Sequence, residues 1–323
     1  MSEPSSRNWW PPGWVWIGLL GAGMVAGGIL AWLVAATRVV LPYDEAFVGL
    51  SRAELDAVNG RLLAFLAHDR VTLAGTMIAI GVLYGMLALH PMRAGFAWAR
   101  RAVLWSGAVG FSSFFLFLGF GYFDPLHALV TVLLLPFFVL GMASRPPGPA
   151  PVVSWGISVA GAQIPGLTGT SWGQFLFVAV GASLFVAGIA LAGIGVTVVF
   201  VPEDLEFMGT TREALSSASP RLIPMIAHDR AGLGGALLSN GLAVLLPALW
   251  GYQRGARWLW WALFGSGVPG FVAALGTHVA VGYTDLGHLA PALAGLVMYA
   301  AALALSARHL LRPVPLSAGV PPS

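Results

Sequence analysis

Leu41-Pro42-Tyr43-Asp44, Phe47-Val48-Gly49 and Ala67-His68-Asp69-Arg70 form the stretch that decides the fold, because it occurs twice. It returns without a gap, 160 residues later (201 minus 41), as Val201-Pro202-Glu203-Asp204, Phe207-Met208-Gly209 and Ala227-His228-Asp229-Arg230. Between 41–83 and 201–243, 15 of the 43 aligned positions are identical. Shared apolar composition does not account for this, since hydropathy requires no matched Pro, Asp, His or Arg. The register continues through Trp98/Trp258, Ser106-Gly107/Ser266-Gly267 and Gly110-Phe111/Gly270-Phe271. One inserted residue follows in the second copy. The match then resumes with Gly121-Tyr122/Gly282-Tyr283, Asp124/Asp285 and His127/His288. A fixed long period of this kind is the signature of internal duplication.

The residues around these motifs set the solvent. Hydrophobic residues make up 58% of the chain and charged residues 9%, against about 25% charged in a soluble domain. The apolar residues fall in runs of roughly twenty, enough to cross about 30 Å of hydrocarbon. Lipid offers backbone groups no partners, and continuous apolar runs select helices over a barrel. The expected fold is therefore an all-α integral membrane protein with eight transmembrane helices, a tandem pseudo-two-fold repeat of four-helix units. Expected spans are 14–41, 71–89, 99–120 and 126–143 in one copy, and 175–201, 231–250, 258–281 and 289–310 in the other. The domain reading is 1–143 for the first repeat, 144–173 for a Pro/Gly-rich linker, 174–312 for the second repeat and 313–323 for a flexible tail. The linker's apolar piece, 152–164, is too short to span. Glycines four apart, Gly23 with Gly27 and Gly81 with Gly85, suit close helix packing.

Four helices per copy put both copies the same way up. The expected N-terminal side holds Arg7, Arg93, Arg100, Arg101, Arg145, Arg254, Arg257, Arg308 and Arg312 with a single acid, Glu3. The other side holds Arg38, Arg52, Arg61, Arg70, Arg212, Arg221 and Arg230 with twelve acids. Basic residues mark the cytoplasmic side, and Trp9, Trp10, Trp14, Trp16, Trp258, Trp260 and Trp261 suit an aromatic belt there. The expectation is a multi-pass protein of a bacterial-type cell membrane with both termini cytoplasmic and a retained first helix. The lipid bilayer is its surroundings. The small net charge of +3 and the scattered arginines give no nucleic-acid stripe. Membrane-complex subunits or a second copy are the partners considered.

The chain has no cysteine, which excludes disulfides, thiolate ligands and Cys nucleophiles. Most matched polar residues fall at the extracytoplasmic face. Ser51 to Glu54 and Thr210 to Glu213 have capping-box spacing, so each outer loop is expected to hold a short interfacial helix. The ligand-binding candidates are Asp44, His68, Asp69, Arg70, Asp124 and His127 in one copy. In the other they are Asp204, His228, Asp229, Arg230, His278, Asp285 and His288. Three chemistries compete for them. A metal site would draw on His68, Asp69, Asp124 and His127 in one half and His228, Asp229, Asp285 and His288 in the other, if the second and fourth helices are neighbours. A haem would be held by His68 and His228 across the symmetry axis. A lipid or quinone head would use Arg70 and Arg230 as donors with His as proton partner. His278 has no counterpart, because Phe117 holds its place. It makes the halves unequal or serves as a satisfied polar group at a helix contact. No acid or arginine is expected in mid-span, which argues against a buried-carboxylate pump.

The Pro-x-Asp, Phe-x-Gly, Ala-His-Asp-Arg and Gly-Tyr-x-Asp-x-x-His motifs together resemble a group of uncharacterised bacterial membrane proteins with duplicated four-helix units. Some of these carry a dihydroorotate-dehydrogenase-like flavoprotein domain after the membrane part. No flavin domain is expected after Ser323, so the resemblance transfers no enzyme activity and lends support to a quinone or redox association. The functional expectation is a pseudo-symmetric His/Asp/Arg ligand-binding face on the extracytoplasmic side, in a redox (quinone or metal) or lipid-handling component. A small-solute transporter and a structural subunit are the alternatives.

Overall fold

The computed structural model describes residues 11–144 and 169–312, and all regular structure among them is helical. The order is α1 (Gly13–Thr37), α2 (Pro42–Val48), α3 (Arg52–Val58), α4 (Leu62–Leu87), α5 (Ala97–Phe117) and α6 (Pro125–Ala143). It continues with α7 (Gly169–Val196), α8 (Pro202–Met208), α9 (Arg212–Ala218), α10 (Leu222–Trp250), α11 (Arg257–Phe271), α12 (Thr277–Val281) and α13 (Leu286–Leu311). One π turn, Ala88–Met92, extends α4, and another, Val272–Gly276, joins α11 to α12. Much of the expected linker, its apolar piece 152–164, the tail, Trp9 and Trp10 lie outside the described residues.

Seven helical segments among the described residues are long and apolar enough to cross a membrane. The third expected span is not one of them. Helix α5 has 21 residues, but it starts with Arg100 and Arg101 in its second turn and carries Ser106, Ser112 and Ser113 along its length.

Helices α4 and α10 form the centre, 67% and 72% buried along their apolar windows, against 22–28% for the other spans. They pack on each other, and each takes the α1-like helix of its own half: α1 on α4 and α7 on α10. The third helices cross over. Helix α5 packs on α10, and α11 packs on α4. At the α1–α4 crossing, a Cβ on Gly21 would lie 2.6 Å from the Gly81 carbonyl oxygen, and one on Gly81 would lie 2.7 Å from that of Gly21. Only glycine allows such approach. The expected partner of Gly81, Gly85, instead has open space at its Cβ position. Midway along the bundle, Tyr84 meets the Ser106 hydroxyl at 2.8 Å. Ser106 and Ser239 each donate to the other's carbonyl, at 2.8 and 3.0 Å. These bonds tie α4, α5 and α10 together.

The segments after α1 and α7 carry two short helices each, where one was expected. Ser51 caps α3 with Glu54. The second copy is capped by Thr211, not Thr210, through Ala214 N–H at 3.2 Å, because α9 begins one residue later than the Thr210–Glu213 spacing implied. The two loops hold each other. Asn59 donates to the Met208 carbonyl at 2.8 Å and Arg61 to that of Phe207 at 2.6 Å; Ser219 donates to Val48 at 2.7 Å and Arg221 to Phe47 at 3.1 Å. Each arginine thus meets the C-terminal end of a short helix, where a cation is favoured.

Candidate metal centre and its ion-paired scaffold

The Ala-His-Asp-Arg motifs were expected at helix mouths. They lie inside the helices, because α4 and α10 begin nine residues before the expected Val71 and Ala231. Buried acids and arginines therefore do occur within the spans. Arg70 chelates Asp44 at 2.8 and 3.3 Å, donates to the Val39 carbonyl at 2.7 Å, and pairs through Nε with Asp229 at 2.8 Å. Arg230 repeats the pattern. It pairs with both Asp204 oxygens, donates to the Val199 carbonyl at 2.9 Å, and pairs through Nε with Asp69 at 3.2 Å. Each guanidinium thus joins its own half's loop carboxylate to the other half's motif carboxylate. Most of the donors of each guanidinium are thereby taken up by protein acceptors, which leaves little of either for a lipid headgroup.

Val39 and Val199 sit at φ 65° and 66°. A β-branched residue there is strained by about 1–3 kcal/mol, and in both cases its carbonyl faces an arginine. Asp44 and Asp204 also accept the backbone N–H of Leu41 and Val201, at 2.8 and 2.9 Å, as N3 residues of α2 and α8. A tyrosine completes each: Tyr122 donates to Asp44 at 2.6 Å and Tyr283 to Asp204 at 3.0 Å. Gly121 and Gly282, at φ 71° and 75°, turn the chain to bring these tyrosines in. The tyrosines were visible in the repeat as Gly-Tyr, and nothing in their spacing assigned them to the aspartates.

Burial alone raises the Asp44 carboxyl, but Arg70, Tyr122 and the Leu41 N–H outweigh it and hold the group below its ordinary value of 3.8. A depressed carboxylate contributes stability that is complete above the ordinary value and is lost as pH falls through the folded one. Asp44→Asn should therefore melt below wild type at neutral pH, with the gap persisting to pH 4 and closing in stronger acid. Melting in detergent across pH 2–7 measures it, and a constant gap down to pH 2 would contradict the assignment.

The imidazoles converge across the halves, not within them. The expected neighbours α4 and α6 do not supply a shared site. Instead His68 of α4 meets His278 of α12 and His288 of α13, one ring nitrogen from each lying within 4.8 Å of the others. His228 of α10 meets His127 of α6. His68 and His228 thus belong to separate clusters, and the pairing expected for a haem is not formed. The carboxylates proposed as ligands have other work. Asp124 caps α6 through Leu126 and His127 N–H, Asp285 caps α13 through His288 N–H, and Asp69 and Asp229 hold the arginines.

The hydrogen-bond partners place a hydrogen on each Nδ1. His68 Nδ1 lies 2.9 Å from the Phe65 carbonyl, and His278 Nδ1 bonds the Ala274 carbonyl. Carbonyls only accept, so both rings carry hydrogen on Nδ1. His288 Nδ1 lies 3.1 Å from the Tyr283 hydroxyl, which has given its hydrogen to Asp204 and therefore accepts. Neutral rings so arranged each keep a lone pair on Nε2, and the Nε2 atoms of His278 and His288 are only 3.1 Å apart. Asp69 Oδ1 lies 3.4 Å from His68 Nε2, adding negative charge. Lone pairs this close repel unless a cation lies among them.

The other half is resolved differently. The Phe117 carbonyl, at the position of His278, accepts from His228 Nδ1 at 3.0 Å. His228 Nε2 therefore accepts from His127 Nδ1 at 3.3 Å, an ordinary N–H···N bond. His278 owes its place to the inserted residue. The copies align at offset 160 at Phe111/Phe271 and at 161 at Gly121/Gly282, and the Val272–Gly276 π turn falls between. A π turn absorbs one extra residue and is frequent at functional sites.

Comparison with protein-family models, with curated proteins and with solved structures finds no match to this chain. What stands is a polytopic helical membrane protein with a buried His/Asp/Arg cluster.

Proposed function

We propose that this chain is an eight-helix membrane protein built by duplication, whose working centre is a three-histidine site for a divalent transition metal such as zinc or copper. The observation that carries the reading is the convergence of His68, His278 and His288, each anchored through Nδ1. Metal-bound histidines characteristically donate their other ring N–H to a carbonyl, carboxylate or similar partner, which fixes the ring and its tautomer. The 3.1 Å between His278 and His288 Nε2 is close to the roughly 3.3 Å that tetrahedral geometry sets between two nitrogens bound at about 2.0–2.1 Å. Asp69 and Asp204 bring two formal negative charges to one guanidinium beside the site, and a divalent cation offsets the excess. Three imidazoles leave a fourth position for water or substrate, the pattern of catalytic rather than structural zinc.

In this reading α5 is the eighth span, held across the bilayer by α10. The arginine-rich loops around Arg93, Arg100, Arg101, Arg254 and Arg257 lie in the cytoplasm with both termini. The metal centre then lies near the outer face, beneath α2, α3, α8 and α9.

The test is metal content by mass spectrometry on detergent-purified protein, stripped with chelator and reloaded with zinc or copper. Wild type should retain one ion per chain after desalting. His278→Phe, which installs the residue of the first copy, should weaken retention at least about 100-fold, while His127→Phe should retain it. A wild type that holds no ion under these conditions would mean that His278 and His288 share a proton, and the metal reading would fail.

A further inference from the structure

The half without the third imidazole has a cavity that the metal reading does not use. Helices α1 and α6 touch at one end, where a Cβ on Gly13 would meet the Gly141 carbonyl oxygen at 2.6 Å. Toward the other end they enclose a cavity of about 120 Å³. That is near the roughly 150 Å³ that holds benzene in a protein interior. Its apolar wall is Leu30 and Val34 of α1 with Leu126 and Val130 of α6, and Met77 of α4 lies beneath. Leu30 is 55% exposed on the surface that faces lipid, so the cavity adjoins the bilayer. Its polar lining is Tyr43, Arg70, Asp124, His127, His228 and Asp229.

The chemistry of that lining is directional. His228 gives its Nδ1 hydrogen to the Phe117 carbonyl, and His127 gives its own to His228 Nε2. His127 Nε2 is left as a buried lone pair without a partner in the protein. An unmet buried acceptor is unfavourable, and a hydrogen donor satisfies it. The Arg70 guanidinium in this lining is already matched by Asp44 and Asp229, and Asp124 adds a further carboxylate to the same wall, so an anionic head is disfavoured.

We propose that this cavity binds an amphiphile by an uncharged hydroxyl head about one ring in size, with the hydroxyl donating to His127 Nε2 and the tail lying between α1 and α6. Two sources share this chemistry, a tailed hydroquinone and a diacylglycerol. The proposal does not rest on the metal site, and its probes are metal-free.

The experiment is equilibrium binding followed by thermal shift, in an amine-oxide detergent, which has no hydroxyl to compete. The probes are two matched pairs: a decyl-substituted hydroquinone against its oxidised quinone, and dioctanoylglycerol against its O-methyl ether. The donor of at least one pair should bind about tenfold or more tighter than its donor-less partner, and the pair that discriminates identifies the source. His127→Phe should abolish the discrimination. Val130→Trp, which fills the cavity and leaves the imidazoles in place, should abolish binding altogether. Equal binding within both pairs, no binding by any probe, or full discrimination in Val130→Trp would overturn the proposal. Failure here leaves zinc retention at His278 untouched, so the two readings fall separately.

Discussion

Arg230→Met should destabilise the protein by about 3–5 kcal/mol, the cost of leaving buried charge without its partner. Asp204 is fully buried, and the Arg230 side chain is 3% exposed between Asp204 and Asp69. Water cannot replace the guanidinium there, and methionine fills its volume without answering either carboxylate. Against a total stability of about 5–15 kcal/mol, this is enough to remove most folded protein. Melting and size-exclusion profiles in detergent would read it. The triple variant Arg230→Met, Asp69→Asn, Asp204→Asn should recover part of the loss, because the uncompensated charges leave with the arginine. A single variant that melts with wild type would mean that the carboxylates are held by something other than this pair. The equivalent Arg70→Met should cost less, since Arg70 is 14% exposed and water reaches it.

Gly81→Leu is the second large effect. A Cβ at this position would already stand 2.7 Å from the Gly21 carbonyl oxygen and 2.9 Å from the Val25 nitrogen. Both obstacles are backbone, so α1 must move off α4 as a whole. Small residues at such crossings are what let helices associate in lipid, where no hydrophobic drive exists between them. The expected outcome is loss of a monodisperse species and a fall in melting temperature beyond that of ordinary overpacking, about 1–3 kcal/mol. Gly85→Ala, one turn along, meets nothing within 4 Å and should gain up to about 1 kcal/mol from helix propensity. If both variants behave alike, the crossing is not where the glycines place it.

The helical class and most of the spans were legible in the sequence because lipid leaves the backbone few choices, and the repeat marked the residues that matter. Three things were not legible. Hydropathy put the helix starts at Val71 and Ala231, because a window averages over His-Asp-Arg, whereas the polar triplets pair with one another and remain inside α4 and α10. Repeat matching aligned each copy with itself, so His127 was grouped with His68. The crossing of α5 and α11 onto the opposite central helices gives His127 to His228 and His288 to His68 instead. Asp124 and Asp285 were read as ligands from their spacing to histidine, yet a residue just ahead of Pro125 or Leu286 is placed to cap. His278 stands out in the sequence by lacking a counterpart, and its ring partners depend on a helix rotation that spacing does not encode.

The π turn at Val272–Gly276 has a consequence for how the two matched halves differ. Each residue in a helix advances the chain by 1.5 Å and rotates it by roughly 100°. One extra residue therefore acts as a phase shift: the positions between it and Gly282 are re-indexed around the α11–α12 axis relative to their matches in the first half. In the unshifted copy that phase offers a phenylalanine and its carbonyl to the neighbouring imidazole; in the shifted copy it offers a third ring nitrogen. The two halves thus present different side chains at this place while the ion-paired arginines are common to both.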